Sequence, residues 1–379
     1  MGRMSGHPTP SVPRAEIVID LAAIRHNVRL LRGYTSAQMM TVVKADGYGH
    51  GMVEVARAAR QAGSQWLGVA TMPEALTLRG AGDRGRLLAW LATPGESYAD
   101  ALAADVDVAA YSVAQLREIE AAATDRPARV HLKVDTGLSR GGAPLAQWPA
   151  LVRAAVESEQ VEAVGIWSHL AASDEPTHPA NAAQLAVFTE AVAMARDLGM
   201  EPEVRHLANS AATMLAPEAH FDLVRCGIAS YGCNPAPQVL VDTGLRPAMT
   251  VRGALVMTKP ILAGTGVSYG HCFIASEPMQ VGVVPMGYAD GIPRHASNTA
   301  QVLIGGSRRP LLGRVCMDQF VVEAGGAEAG DEVVLFGAGE SGEPTAQEWA
   351  EWCQTISYEI VTRMGGRQTR RWVNEETDA

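Results

Sequence analysis

The apolar positions of this chain change their spacing part-way along, and that change divides it in two. Between residues 39 and 226, short runs rich in aliphatic and β-branched residues alternate with stretches of helical spacing. The expected strands are 39–43, 66–70, 86–90, 106–110, 129–134, 161–168, 203–207 and 222–226. Between them lie MVEVARAARQAG at 52–63, VAQLREIEAAA at 113–123 and NAAQLAVFTEAVAMARDLG at 181–199. In the last of these, Leu185, Phe188, Val192 and Ala195 share a helical face, and Gly199 suits the position just past the helix end. Eight strands alternating with helices predict an α/β protein with an N-terminal (β/α)8 barrel. A doubly wound open sheet is the rival arrangement.

From about residue 240 helical spacing fades. Runs such as AMTVRGALVM, MQVGVVPMGYA, AQVLIGG and DEVVLFG, punctuated by Gly and Pro, predict a mostly β C-terminal domain. One helix is expected inside it, at EPTAQEWAEWCQTI, where Thr345 and Glu348 have capping-box spacing. The expected layout is a frayed tail over 1–14, the barrel over 15–240 and the β domain over 241–379. The tail, MGRMSGHPTPSVPR, lacks the apolar centre of a signal peptide.

Composition narrows the function. A chain of 379 residues has room for two cores, and 47% hydrophobic content with few aromatics suits a soluble globular enzyme. A net charge of -10 argues against nucleic acid or an anionic membrane as partner. No apolar run approaches the roughly 20 residues that a membrane helix needs. Cys226, Cys233, Cys272, Cys316 and Cys353 are odd in number and have no metal-type spacing. They read as reduced thiols of a cytoplasmic protein without a metal site.

Barrel active sites are built at the C-terminal ends of the strands, and that is where the reactive residues fall. Lys44 closes the first strand in TVVKADGYGHG, and the glycines after it let the backbone bend close to a ligand. An amine there can be desolvated and made nucleophilic. Lys133, Asp135 and Arg140 follow strand five, and His169 ends strand six. His206, Asn209 and Ser210 follow strand seven; Arg225 closes strand eight before Gly227 and Ile228. Loops after the last two strands commonly hold a phosphate. A phosphate site together with a strand-end lysine points to pyridoxal phosphate held as a Schiff base.

Nine segments, in order and spread over both domains, carry a family resemblance: VVKADGYGHG, LKVDTGLSR, WSHLA, RHLANSAAT, FDLVRCGIASYG, GVSYG, GYADG, GRVCMDQF and TISYEIVTR. From about residue 15 the chain resembles the alanine racemases, fold-type III pyridoxal-phosphate enzymes. It departs from them at Gly47, Cys226 and Gly141–Gly142, none of which is a reacting group.

The resemblance implies racemisation of L- and D-alanine by two bases, supplying D-alanine for cell-wall synthesis, in a cytoplasmic homodimer with shared active sites. Lys44 would hold the cofactor and serve as base on one face of the substrate. Tyr269, from the other subunit's β domain, would serve on the opposite face, linked through His169 to Arg225. Arg225 would meet the pyridine nitrogen, where an arginine can only donate and keeps the ring a weak electron acceptor. Tyr48, Asn209, Ser210, Tyr358 and the backbone at Gly227 and Ile228 would bind the cofactor, most of them at its phosphate. Arg140 would clamp the substrate carboxylate with the backbone of Met317 from the partner. Lys133 matches a lysine that is carbamylated in many members; the unmodified amine is the alternative. Asp318 would orient the Met317 loop or cap it.

Two motifs match by form alone. GVSYG has the letters of a hydrolase elbow but a β-like segment after it, and GAGESG at 337–342 has those of a dinucleotide fingerprint without a βαβ unit. The rival functions are a broader amino-acid racemase, a related decarboxylase, which Arg225 opposes, and a non-catalytic pyridoxal-phosphate carrier, which the β domain opposes.

Overall fold

The computed structural model describes residues 12–376, so the expected tail lies outside the described residues as far as residue 11. The chain forms two compact units. One spans Ala22–Arg246; the other joins the segment ending at Leu21 to everything from Pro247 onward.

The boundary at the N-terminal side differs from the expected 15–240. β1 (Ala15–Asp20) runs antiparallel to Met249–Ala254 and parallel to Thr369–Val373, inside a nine-stranded sheet of the second unit. Its sequence explains the placement. AEIVID alternates, so Ile17 and Ile19 bury on one face while Glu16 reaches Arg252 and Arg371 on the other. That is the pattern of a sheet with one polar face.

The barrel strands read differently. They are β2 (Gln38–Val42), β3 (Trp66–Val69), β4 (Arg86–Ala89), β5 (Asp107–Ala110), β6 (Ala128–Lys133), β7 (Val161–Trp167), β8 (Val204–His206) and β9 (Leu223–Cys226). Residues 39–42 and 66–69 are buried without a break. Near-continuous burial is what a parallel sheet covered on both faces requires. All eight pair in parallel in the order β8-β7-β6-β5-β4-β3-β2-β9. Hydrogen bonds from Asp222 N to Arg205 O and from Arg225 N to Ala208 O then bring β9 back to β8. The ring is therefore closed into the expected (β/α)8 barrel rather than left as an open sheet.

The expected helices appear as Met52–Gln61, Val113–Ala122 and Pro179–Asp197, the last followed by Gly199 in the left-handed region. The second unit is mostly β, with the helix Ala346–Trp352 started by the Thr345–Glu348 capping box. The glycine-rich loop 337–342 binds its own chain: the Glu343 carboxylate accepts from Gly339 N and Ser341 N. An internal carboxylate takes the amides that a phosphate would need. GVSYG lies across a two-residue strand and a short 3-10 turn, with no helix after it. No helix among the described residues is long and apolar enough to cross a membrane, and all five cysteines are free.

Candidate active site

The end of β2 turns at once into an unusual loop. Ala45, Asp46, Gly47 and Tyr48 all have φ between +52° and +60°. Each non-glycine residue in that region costs about 1–3 kcal/mol, so something must hold it there. The Glu74 carboxylate does part of this, accepting from Ala45 N at 2.7 Å and from Ala70 N at 2.9 Å. Asp46 caps the next helix through Met52 N at 2.9 Å. The result aims Lys44 and Tyr48 into the barrel mouth. Burial pushes the Lys44 amine below its ordinary pKa, and the Arg140 charge adds to this against Glu74.

Lys133 ends β6 with its Nζ 4.4 Å from the centre of the Trp167 ring and 5.0 Å from that of Tyr111. Burial, then Arg225 and Arg140, push its amine down to about 8, with Asp135 opposing. The loop bearing Arg140 folds back on the strand: Ala143 N donates to Lys133 O, and Asp135 N to Ala143 O. A Cβ placed on Gly141 would lie 3.8 Å from Lys133 Nζ. Trp167 Nε1 is buried with no hydrogen-bond partner among the described residues.

Arg225 is 5% exposed, and burial lowers its guanidinium pKa to about 9. Its partners are two carbonyls, Ser168 O at 2.8 Å and Leu207 O at 3.1 Å, and two imidazoles. His206 Nδ1 lies 3.1 Å away and His169 Nδ1 3.3 Å away. An arginine only donates, so His169 Nδ1 accepts and its proton sits on Nε2. Burial and the Arg225 charge hold His169 neutral, its pKa well below the usual value.

Ser210 begins a short helix capped by Asn209, whose Oδ1 accepts from Ala212 N. Ser210 Oγ accepts from Gly227 N at 2.9 Å, which leaves its own O–H to donate. Gly227 has to be a glycine here: a Cβ on it would stand 2.4 Å from Tyr48 Oη. Lys44, Tyr48, Lys133, Arg140, His169, Asn209, Ser210, Arg225, Gly227 and Ile228 therefore all belong to the barrel unit and its strand ends.

Tyr269, Met317, Asp318 and Tyr358 belong to the other unit. Tyr269 is 70% exposed and Met317 52% exposed, on an open groove of about 900 Å³ that also includes Ser268, Tyr288 and Arg294. Ser268 holds φ +61° and ψ -170°, a strained conformation pinned by its Oγ–H donating to Arg314 O at 2.7 Å. Asp318 pairs with Arg367, which also holds Asp290. Tyr358 is half-buried in the helix Ser357–Thr362.

Comparison with known proteins decides the family. The alanine racemase N-terminal domain model matches residues 19–235, and the alanine racemase C-terminal domain model matches residues 248–372.

The chain belongs to the alanine racemase family.

It is 53% identical to the alanine racemase of Frankia casuarinae, over 97% of this chain and 99% of the relative. The crystal structure of alanine racemase from D-cycloserine-producing Streptomyces lavendulae superposes with a TM-score of 0.95 at 49% identity, covering 96% of this chain and 98% of that one. The alanine racemase of Bartonella henselae, solved with covalently bound pyridoxal phosphate, has a TM-score of 0.87 at 28% identity, covering 96% and 100%.

Within this alanine racemase fold, sequence reasoning passed over Glu74, Tyr111 and Trp167, over Trp90, whose ring centre lies 5.9 Å from Lys44 Nζ, and over the buried Asp107 and His131. A signal existed for the last: His131 and Lys133 are two apart on one strand, so they point to the same side.

Proposed function

We propose that the barrel mouth holds pyridoxal phosphate through Lys44 and racemises alanine with one base on each face of the substrate. The observation that carries this reading is the convergence of a desolvated lysine amine, a buried arginine and the Ser210–Gly227 cradle at one mouth. The residues fit the cofactor. Ser210 offers a free O–H beside a glycine that leaves room for Tyr48, and Trp167 Nε1 is a buried donor awaiting an acceptor. Bound pyridoxal phosphate supplies an electron-accepting ring that eases removal of the α-proton.

The chain's own residues do the rest. Lys44 holds the cofactor and moves a proton on one face of the α-carbon. Ser210, Tyr48, Asn209, Tyr358 and the backbone at Gly227 and Ile228 bind the cofactor. Arg225 donates to the pyridine nitrogen; its side-chain partners among the described residues are carbonyls and imidazoles, not the carboxylate that would keep that nitrogen protonated as a decarboxylase needs. Arg140 and the backbone of Met317 hold the substrate carboxylate. On the opposite face Tyr269 of the partner subunit takes or returns the proton, and His169 Nε2–H donates to its oxygen. We place the enzyme in the cytoplasm, supplying D-alanine to the cell wall.

Exposure of Tyr269 and Met317 on an open groove supports a homodimer in which each chain lends these residues to the other. Lys44→Ala and Tyr269→Phe chains, unfolded and refolded together, should pair at random. Half the dimers are then mixed, one of whose two sites is intact, so activity near a quarter of wild type is expected. Complete refolding without recovered activity would place both bases in one chain.

Lys133 is proposed to carry a carbamate. An amine held at about 8 is partly neutral near neutral pH, so it can attack carbon dioxide, forming a C–N bond and releasing one proton to water. The anion so formed would face Arg140. Carbamate should increase as pH rises through about 8. With ¹³C-bicarbonate, a carbamate resonance absent from Lys133→Ala is expected; identical spectra for both proteins would rule the modification out.

A further inference from the structure

Behind Arg225 a chain of buried side chains runs through the barrel interior. His206 Nε2 lies 2.8 Å from His131 Nδ1, and His131 Nε2 lies 3.2 Å from Asp107 Oδ2. Asp107, His131 and His206 are all 0% exposed. Asp107 opens β5 and His206 closes β8, so the chain passes from the strand starts to the strand ends. At its far end Asp107 pairs with Arg86 at 2.8 Å and with Arg129 at 2.6 Å.

The fold makes room for this chain. β6 and β7 slip register between Val130 and His131. A Cβ on Gly165, opposite, would stand 2.2 Å from His131 Nδ1. Trp167 stacks on His206 with its ring 4° from parallel, and Trp66 meets His131 edge-on. A bulge and a glycine within a strand both weaken the ladder, so they mark a site where another demand prevails.

The two ends dictate where every proton sits. Arg225 can only donate, so His206 Nδ1 accepts and His206 carries its proton on Nε2. That proton faces His131 Nδ1, which must accept, so His131 carries its own on Nε2 and donates it to Asp107. An ionised carboxylate only accepts, which agrees with the order from the other end. No other arrangement with two neutral rings satisfies all three contacts.

We propose that Asp107 and His131 are positioning residues for Arg225, fixing the proton order of a buried chain that ends on its guanidinium. The chain links a buried cation without a carboxylate in contact to a carboxylate two imidazoles away. It also keeps an acceptor, never an N–H, facing Arg225 from His206. Were His206 to turn its proton to Nδ1, two donors would face each other in a dry interior, and Arg225 would be pushed off its place.

The proposal deepens the role given to Arg225 and rests on it, but the first readout is independent of the cofactor. Holoenzyme labelled with ¹⁵N-histidine should show His206, assigned by its loss in His206→Gln, with a bare Nδ1 and a protonated Nε2. In Asp107→Asn the carboxamide can donate, and His206 should then exchange between tautomers. His131→Gln should do the same while leaving the Asp107 pairs with Arg86 and Arg129 intact, and it decides the matter should Asp107→Asn fail to fold. In the variants kcat should fall about tenfold, about 1.4 kcal/mol, with KM changed little. A proton found on His206 Nδ1 in the wild type, or an unchanged tautomer in folded His131→Gln, would overturn the proposal. A changed tautomer with unaltered kcat would remove its functional part. Failure of the Arg225 role itself would appear separately, as an Arg225 variant with wild-type spectrum and rate.

Discussion

Replacing Lys44 with alanine is expected to lower kcat for alanine racemisation by at least about four powers of ten, each worth about 1.4 kcal/mol of barrier. The loss is large because one side chain has two tasks, holding the cofactor and moving a proton. Its amine is suited to both: burial and the Arg140 charge lower its pKa, so less is spent in baring the lone pair. The same residue should carry the chemical mark. Borohydride reduction of the wild-type holoenzyme should bleach its yellow colour and fix the adduct on the Lys44 peptide. An adduct mapped to Lys133 or Lys259 would overturn the assignment.

Arg225→Glu should lower racemisation by several powers of ten and change the spectrum as well. A glutamate at this buried position faces His206 Nδ1 and two carbonyls, so it either keeps its proton and donates it to the pyridine nitrogen or, ionised, holds a proton on that nitrogen. Either way the ring becomes a stronger electron acceptor, and a long-wavelength band should appear on adding alanine. The deprotonated substrate then lives longer and takes its proton back less promptly. A variant with wild-type rate and spectrum would remove Arg225 from the pyridine site.

The barrel was legible because its strands are apolar almost without interruption and its reactive residues gather where those strands end. β1 was not: AEIVID is as apolar as a barrel strand, and only its alternation separates the two. The order of polar residues located Lys44, Lys133, Arg140, His169 and Arg225 at one mouth. It said nothing of backbone strain. A run of left-handed residues at Ala45–Tyr48 has no composition of its own, since only one of the four is glycine. Ser268 is equally silent, its strain visible only once φ, ψ and the Arg314 carbonyl are known. Asp107 and His131 escaped for a different reason. Asp107 opens its strand and His131 lies within its own, each flanked by apolar residues, and their meaning depends on a partner 24 residues away.

Lys44, Lys133, Arg140 and Arg225 gather at one mouth; burial first, and then their cationic neighbours, push the Lys44 and Lys133 amines down, relieved only in part by Glu74 and Asp135. Such a mouth is in tension in an otherwise acidic molecule of net charge -10. A phosphate-bearing ligand that binds this mouth relaxes that tension and so favours the folded chain. At a hundred times its Kd such a ligand adds about 2.7 kcal/mol of stability. That is a large part of what holds a typical domain together, about 5–15 kcal/mol. The thermal lifetime of this protein is thus tied to the supply of its cofactor: scarcity leaves less active enzyme and also shortens the time for which the chain stays folded.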